Sequence, residues 1–354
     1  MKIWVIKIGT AAILNSEGEI ETAVLKNLAN GIFDIAKKFQ RKIVLISSGA
    51  VTSGKNFLPQ EFLKKISETQ IAQIASAIGQ PILMRNFQKI FQEWKIPVAQ
   101  GLLTREDFSD RSKEIKIRRI LKKMLDMNIL PILNENDFLS PEELDFSDND
   151  QLAVFVAASL NAEKLIILSN ISGFLVKDKI IAEISEIEKM KKFIWKKKST
   201  FGRGGMKSKL ASAKICQQLG IEMILASSRE KNVLQKIANN QKIGTKFLTL
   251  KSEKKSGKKV WLVAGAAEYG KIFVDQKLSQ KFISQKVGIS ILLPGVFKIF
   301  GDFKASQVVG IFDYLGKKIG RGVVKFSAKE ISTKIKKNKN HGEILIHANE
   351  IIIF

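Results

Sequence analysis

The sequence predicts an α/β protein, a mostly parallel sheet sandwiched by helices, followed by a small mixed-β barrel. Three observations carry this. Apolar runs at Lys2–Gly9, Lys42–Ile46, Ile129–Leu133, Lys164–Leu168 and Ile221–Ala226 are short and unbroken, as strands buried on both faces require. Helical patterns separate these runs, and helical crossovers make neighbouring strands parallel. Beyond Lys259 the strand candidates shorten, and turn glycines (Gly270, Gly288, Gly295, Gly301, Gly310, Gly316 and Gly320) recur at barrel-like spacing.

A chain of 354 residues, 45% of them hydrophobic, is long enough for two domains with proper cores. Its formal charge is +25, with 50 Lys and 9 Arg. Specific phosphate or base recognition favours Arg, so most of this excess reads as general composition rather than as a nucleic-acid footprint. The excess is uneven: residues 1–250 hold 39 basic and 26 acidic residues, residues 251–354 hold 20 and 8. That shift puts a boundary in Lys251–Lys259 and predicts domains at 1–252 and 258–354. A single cysteine, Cys216, excludes a disulfide framework and a cysteine zinc site, and is expected to be a small core residue. The two histidines, His341 and His347, lie far along the chain from the acidic cluster described below, which argues against a histidine-based triad. No apolar run approaches the ~20 residues that span a bilayer, and the first residues enter a strand pattern rather than a signal peptide. A cytoplasmic protein without a membrane partner is expected.

In order, Lys2–Gly9 is the first strand, with Lys7 near the end where open α/β sheets place ligands. Thr22–Phe39 is a helix and Lys42–Ile46 the second strand, running into Ser47-Ser48-Gly49-Ala50 and Gly54. Those small residues form either a cradle of N–H groups and hydroxyls or an ordinary strand-to-helix turn. Ser67–Gln92 reads as helices broken near Gly79-Gln80-Pro81, and Ile96–Leu103 as a strand. Glu114–Met127 is a basic amphipathic helix with a solvated outer face. After the Lys164–Leu168 strand come a turn-rich excursion from Ser172-Gly173 through Asp178 and a basic, mobile surface patch at Lys191–Lys198. Ile221–Ala226 is the last parallel strand, followed by a helix at Lys231–Asn239 and a strand at Lys246–Leu250. Further strands are expected at Val260–Val263, Lys271–Val274, Ser290–Leu293, Val296–Phe300, Val308–Phe312 and Lys317–Val324, with helices at Lys277–Gln285 and Ala328–Ile335. There is no internal repeat.

Two stretches carry chemistry. Asn134–Asp150 (NENDFLSPEELDFSDND) has seven carboxylates in seventeen residues and no Lys or Arg. It leaves the Ile129–Leu133 strand and enters a helix at Gln151–Leu160. Acidic and amide groups after a strand suit holding a hard cation or gripping the ammonium of an amino acid; they also suit a solvated loop that caps the next helix. Phe201–Lys209 (FGRGGMKSK) leads into a helix over Met206–Leu219. Its glycines let backbone approach an anion, the helix start offers free N–H groups, and Lys209 sits about one turn in. The GxxxxGK[ST] spacing of a Walker A loop is missing. Together the two stretches point to a kinase-like site.

KIGT at Lys7–Thr10, SSGAV at Ser47–Val51, LLTR at Leu102–Arg105, NEND at Asn134–Asp137, DNDQLA at Asp148–Ala153 and GGMKSKL at Gly204–Leu210 follow one another as in the glutamate 5-kinases. The chain resembles that family, a branch of the amino acid kinase superfamily, over nearly its whole length. VDQ at Val274–Gln276, SILLPGV at Ser290–Val296 and the turn at Gly320–Gly322 resemble a PUA domain. The NEND and DND motifs are the specific part of the likeness. The resemblance implies ATP-dependent phosphorylation of the glutamate side-chain carboxylate, giving glutamyl 5-phosphate, the committing step of proline synthesis. It implies that Lys7 and Lys209 bracket the transferring phosphoryl and that Asp150 holds both lysines. Ser48, Asp137 and Asn149 are implied to bind glutamate, with Asp137 facing its ammonium. Lys7, Ser169, Asn170, Arg203, Gly204, Gly205, Met206, Lys207, Ser208 and Lys209 are implied to line the nucleotide site. Mg²⁺ is expected on the ATP phosphates, with no metal ligand set assigned to the protein. Proline as a feedback inhibitor, RNA at the PUA-like domain, and a homo-oligomer are the further partners implied.

The chain departs from the family pattern on the nucleotide side. Ser169-Asn170 stands where Thr-Asp is usual, the Asp-Pro pair expected after Gly173-Phe174-Leu175 is absent, and Arg203 replaces a small hydroxyl residue. Two alternatives stay open: a kinase for aspartate or acetylglutamate, and an RNA-binding protein with a dormant kinase body.

Overall fold

A computed structural model of the chain describes residues 2–15, 17–139, 149–193, 205–249, 257–285, 289–336 and 342–354. The chain divides into two compact units, Met1–Asp107 with Ser112–Glu253, and Phe108–Arg111 with Lys254–Phe354.

The first unit is built on an eight-stranded sheet in the order β3-β4-β2-β1-β5-β9-β10-β8. Its strands are β1 (Ile3–Ile8), β2 (Lys42–Ile46), β3 (Val98–Leu103), β4 (Leu130–Glu135), β5 (Lys164–Ser169), β8 (Glu183–Ile184), β9 (Glu222–Ser227) and β10 (Thr245–Phe247); β6 (Leu175–Val176) and β7 (Lys179–Ile180) form a separate hairpin. Every residue of β1 is buried, as its unbroken apolar run requires. Six strands from β3 to β9 are parallel. β1 lies between β2 and β5, so the chain reverses its direction of winding there. At such a point the carboxyl ends of the strands open a crevice.

Helices α1 (Thr22–Lys38), α2 (Ala50–Lys55), α3 (Glu68–Gln92), α4 (Arg111–Asp126), α5 (Asn149–Leu160), α6 (Met206–Leu219) and α7 (Val233–Ala238) alternate with the strands. Trp4, Ile6, Ile8, Leu45 and Ile132 pack in one core cluster with Leu25 and Ile32 of α1 and Leu83, Phe87 and Phe91 of α3. The expected break at Gly79-Gln80-Pro81 does not occur: α3 runs unbroken through Pro81. Pro81 forgoes one helical hydrogen bond, but Ala72, Ala75, Gly79, Leu83, Phe87 and Phe91 bury one face of the helix on both sides of it. A Cβ on Gly79 would fall 1.8 Å from the Ala50 carbonyl oxygen, and one on Gly54 1.9 Å from that of Ala75. Only glycines let α2 and α3 approach so closely. The sheet is mostly parallel, as expected; at one edge β10 runs antiparallel to β9, and β8 lies parallel to β10.

The second unit holds α8 (Gly257–Ala264), β11 (Glu268–Val274), α9 (Gln276–Gln285), β12 (Ile291–Leu292), β13 (Val296–Phe300), β14 (Val308–Phe312), β15 (Lys318–Val323), α10 (Ala328–Lys336), β16 (Ile344–Ile346) and β17 (Ile351–Ile353). A mixed sheet runs β13-β11-β14-β15-β17, with β12 and β16 paired separately. The expected strand at Val260–Val263 is instead part of α8, with Trp261, Leu262 and Val263 buried. Its core gathers Ile272, Val274, Ile311, Ile319, Leu345 and Ile351. Among the described residues no helix is long and apolar enough to cross a membrane.

Candidate active site

Three charged side chains meet at the carboxyl edge of the first sheet. Lys7 comes from the last turn of the pleat in β1, Asp150 from the first turn of α5, and Lys209 from the first turn of α6. Lys7 Nζ lies 2.7 Å from Asp150 Oδ1, and Lys209 Nζ donates to Asp150 Oδ2 at 3.0 Å. Asp150 is wholly buried and both lysines are 6% exposed. Burial alone would raise the Asp150 pKa. The two ammonium groups outweigh it and hold the carboxyl below the usual carboxylate range. One carboxylate between two cations leaves a net positive charge in a dry place, with remaining N–H donors for an anion.

Beside this triad runs a row of amides. Asn149 Nδ2 donates to Ser48 Oγ and to Asn134 Oδ1, each at 3.0 Å. The Glu135 N–H donates to Asn149 Oδ1 at 3.2 Å and to Asn134 Oδ1 at 2.9 Å. Ser48 follows β2, and Gly49 behind it caps α2 with φ of +100°, a left-handed conformation that glycine tolerates best. Asp137 opens a single turn after β4 at this same edge and is half-buried.

On the other side of β1, Ser169 closes β5 and its hydroxyl donates to Asn170 Oδ1 at 3.2 Å in an exposed position. Gly205 caps α6 with extended backbone, and among the described residues nothing lies within 4 Å of where a Cβ would stand. Met206, Lys207, Ser208 and Lys209 then form the first turn of this 14-residue helix. An exposed helix N-terminus following a glycine is a place for phosphate oxygens. Arg203 and Gly204, with the rest of the glycine loop before Gly205, lie outside the described residues, as do residues 140–148 of the acidic stretch.

Residues 2–227 match the family model of the amino acid kinase family. The chain belongs to the amino acid kinase family. Residues 270–341 match the model of the PUA domain, with which the mixed sheet of the second unit is consistent. Similar full-length proteins are named glutamate 5-kinase. That of Thermoanaerobacter sp. (strain X514) is 36% identical, over 95% of this chain and 91% of its own length. That of Prochlorococcus marinus (strain MIT 9301) is 34% identical over the whole of both. That of Aquifex aeolicus (strain VF5) is 35% identical over 99% of each.

In this amino acid kinase the sequence reading named Ser48, Asn149, Asp150, Lys7 and Lys209, which the fold brings to one edge. Three further buried or part-buried polar groups were not expected from the sequence: Asn134, Gln80 and Gln100. Asn134, quoted only as part of a motif, is 4% exposed, and its Nδ2 has no protein partner among the described residues. Gln80 of α3 accepts from Gln100 Nε2 of β3 at 2.9 Å, while its own buried Nε2 likewise has no protein partner. A glutamine beside a helical proline and another within an apolar strand were the available signals.

Proposed function

We propose that the protein is a glutamate 5-kinase, transferring the γ-phosphoryl of ATP to the side-chain carboxylate of L-glutamate as the first step of proline synthesis. The observation that carries this reading is the buried Lys7–Asp150–Lys209 triad beside the Asn149–Ser48 row. A glutamate carboxylate oxygen attacks Pγ, a new O–P bond forms, and the bond from Pγ to the β,γ-bridging oxygen breaks, its electron pair leaving on ADP. The nucleophile is ionised at neutral pH, so no general base is needed. What the transfer requires is alignment and charge neutralisation. Lys7 and Lys209, each aimed by one oxygen of Asp150, supply the second and bracket the phosphoryl.

Ser48, Asn149 and Asp137 hold the amino-acid end, with Asp137 facing the ammonium. Ser169, Asn170, Arg203, Gly204, Gly205, Met206, Lys207 and Ser208 hold the nucleotide end. Among the described residues no three Asp, Glu, His or Cys side chains gather where they could ligate a metal, and both Asp150 oxygens already face lysines. Mg²⁺ would ride on the ATP phosphate oxygens, where it would offset the charge of the leaving group. Kinase chemistry is assigned to residues 1–252 of a cytoplasmic homo-oligomer. Proline, which shares the α-amino acid head, competes at the Asp137–Asn149 end.

The test is a hydroxamate trap of the acyl phosphate formed from ATP, Mg²⁺ and a panel of acids. Glutamate should react far faster than aspartate, whose shorter arm stops ~1.5 Å short of in-line attack. Asn149→Ala should raise the KM for glutamate tenfold or more and leave that for ATP within twofold. Equal turnover of aspartate or acetylglutamate, or an Asn149→Ala effect confined to ATP, would overturn the proposal.

A further inference from the structure

The first unit carries a cavity at the amino ends of β2, β3 and β4, away from the edge that holds Lys7 and Asp150. Its volume of about 660 Å³ falls in the range of sites that take small organic molecules. Three helices end beside it. α1, α3 and α4 stop at Lys38, Gln92 and Asp126, and each chain then turns through a left-handed residue: Gln40, Lys95 and Asn128, with φ of 52°, 55° and 58°. The next N–H in each case bonds back to the end of its helix: Arg41 to the Ile35 carbonyl at 3.3 Å, Ile96 to Phe91 at 3.1 Å and Ile129 to Met124 at 3.0 Å. Those carbonyls are satisfied within the backbone, which leaves the space between the helix ends to side chains.

Buried Ile32, Ile43, Leu125 and Leu130 form the floor of the cavity, and half-buried Phe33 and Trp94 its walls. Charge at the rim is unbalanced. Of the cations in the lining, Arg41 is engaged by Glu163 and the Phe39 carbonyl, and Lys42 by Asn128 Oδ1 at 2.6 Å. Lys37 and Lys95 are exposed and have no ion-pair partner among the described residues. Lys37 Nζ stands 4.6 Å from the Phe33 ring centre, where wall meets rim. Glu93, the acid of the lining, faces Lys26 at 3.2 Å. Lys95 holds its left-handed turn with more strain than a glycine would, and so keeps an ammonium at the mouth.

An apolar floor between aromatic walls suits a flat apolar body, and two unengaged ammonium groups suit an anion. Phosphate is the poorer anion here. Three helix C-termini bring partial negative charge, the reverse of the N-terminal setting that favours phosphate, and a lysine lacks the fork that grips two oxygens at once. A singly charged carboxylate meets less repulsion. We infer that this cavity binds an aromatic carboxylate, its ring against Phe33 and Trp94 and its carboxylate on Lys37 and Lys95. The six residues of β4 put ~17 Å between the cavity and the Asn134–Glu135 end of that strand, so such a ligand and glutamate bind together.

The experiment is isothermal titration calorimetry of the full chain with 2-naphthoate, 2-naphthamide and 2-naphthyl phosphate. Physiological salt screens general attraction to a chain of net charge +25. The carboxylate should bind one per chain, at least fivefold more tightly than the amide or the phosphate. Lys95→Gln, at an exposed position, should weaken the carboxylate about three- to fivefold and leave the amide unchanged. Trp94→Leu should weaken both about three- to tenfold. Lys242→Gln, an exposed lysine outside the cavity, should bind as the parent does. Saturating glutamate should displace none of the naphthoate; displacement would put the probe in the transfer site and overturn the inference. No heat from the parent in the millimolar range, equal affinity for the amide or the phosphate, or a Lys95→Gln variant that binds as the parent does would each overturn it. Loss of self-association in Trp94→Leu, with no naphthoate bound by the parent, would overturn it in favour of a second copy of this chain on the same face.

Discussion

Asp150→Asn keeps the shape of the side chain and removes its charge, which isolates what the carboxylate does. At 2.7 and 3.0 Å, with an effective dielectric of about 20, each ion pair attracts by about 6 kcal/mol before desolvation. Desolvation of three buried ions and repulsion between the lysines cancel much of that. The variant, however, keeps the desolvation and mutual repulsion of the two lysines and loses the attraction. Breaking a buried pair in this way costs roughly 3–5 kcal/mol, about 10 °C in Tm for a unit of this size. The turnover number should fall about 10²–10³-fold, because both ammonium groups lose the partner that aims them. The pH dependence is diagnostic. Asp150 titrates below the ordinary carboxylate value in the folded protein, so its stabilisation is present above about pH 4 and is lost as pH falls through the folded pKa. The parent-minus-variant difference in unfolding free energy should stay flat from pH 8 to about 5 and narrow below about 4, other carboxylates cancelling between the two proteins. Calorimetry across that range with matched kinetics tests it. A variant within 1 °C of the parent, or a difference that widens on acidification, would refute the reasoning.

Gly79→Ala should cost about 3 kcal/mol or more, measured by urea unfolding, because its Cβ would fall 1.8 Å from the Ala50 carbonyl oxygen and the α2–α3 contact would have to open. A loss below ~0.5 kcal/mol would show that the two helices part easily. Cys216 is fully buried, and burial pushes its thiol up to about 12, so a thiol reagent at pH 8 should leave it untouched until denaturant is added. Prompt reaction in buffer would contradict that environment.

The parallel core was legible because β1, β2, β4 and β5 are apolar on both faces, and an unbroken run of that length has few other homes. Where the sequence misled, local signals were balanced and packing decided. Val260–Val263 is apolar over four residues, a length at which periodicity cannot separate strand from helix, and burial of Trp261 and Leu262 settled it as α8. Pro81 argues for a break by its own chemistry, yet a face buried from Ala72 to Phe91 holds α3 in line. β16 and β17 have three residues each, too few for a pattern; they exist because sheet edges stood ready to pair with them.

The candidate site was legible as residue types and not as a place. Lys7, Asp150 and Lys209 are separated by some sixty residues or more, and only the likeness to a family joined them on the page. Sheet register explains why they meet. In β1, Trp4, Ile6 and Ile8 point into the core shared with α1 and α3, so Lys7 must point to the opposite face, where α5 and α6 begin. A slip of one residue would bury Lys7 among α1 side chains and turn Ile6 or Ile8 towards Asp150. The same logic accounts for Asn134, whose place beside Asn149 follows from β4 pairing with both β2 and β3. Its importance could not be weighed before that pairing was known. A lysine at the end of a buried strand is therefore a charge whose destination is fixed by the apolar residues on either side of it.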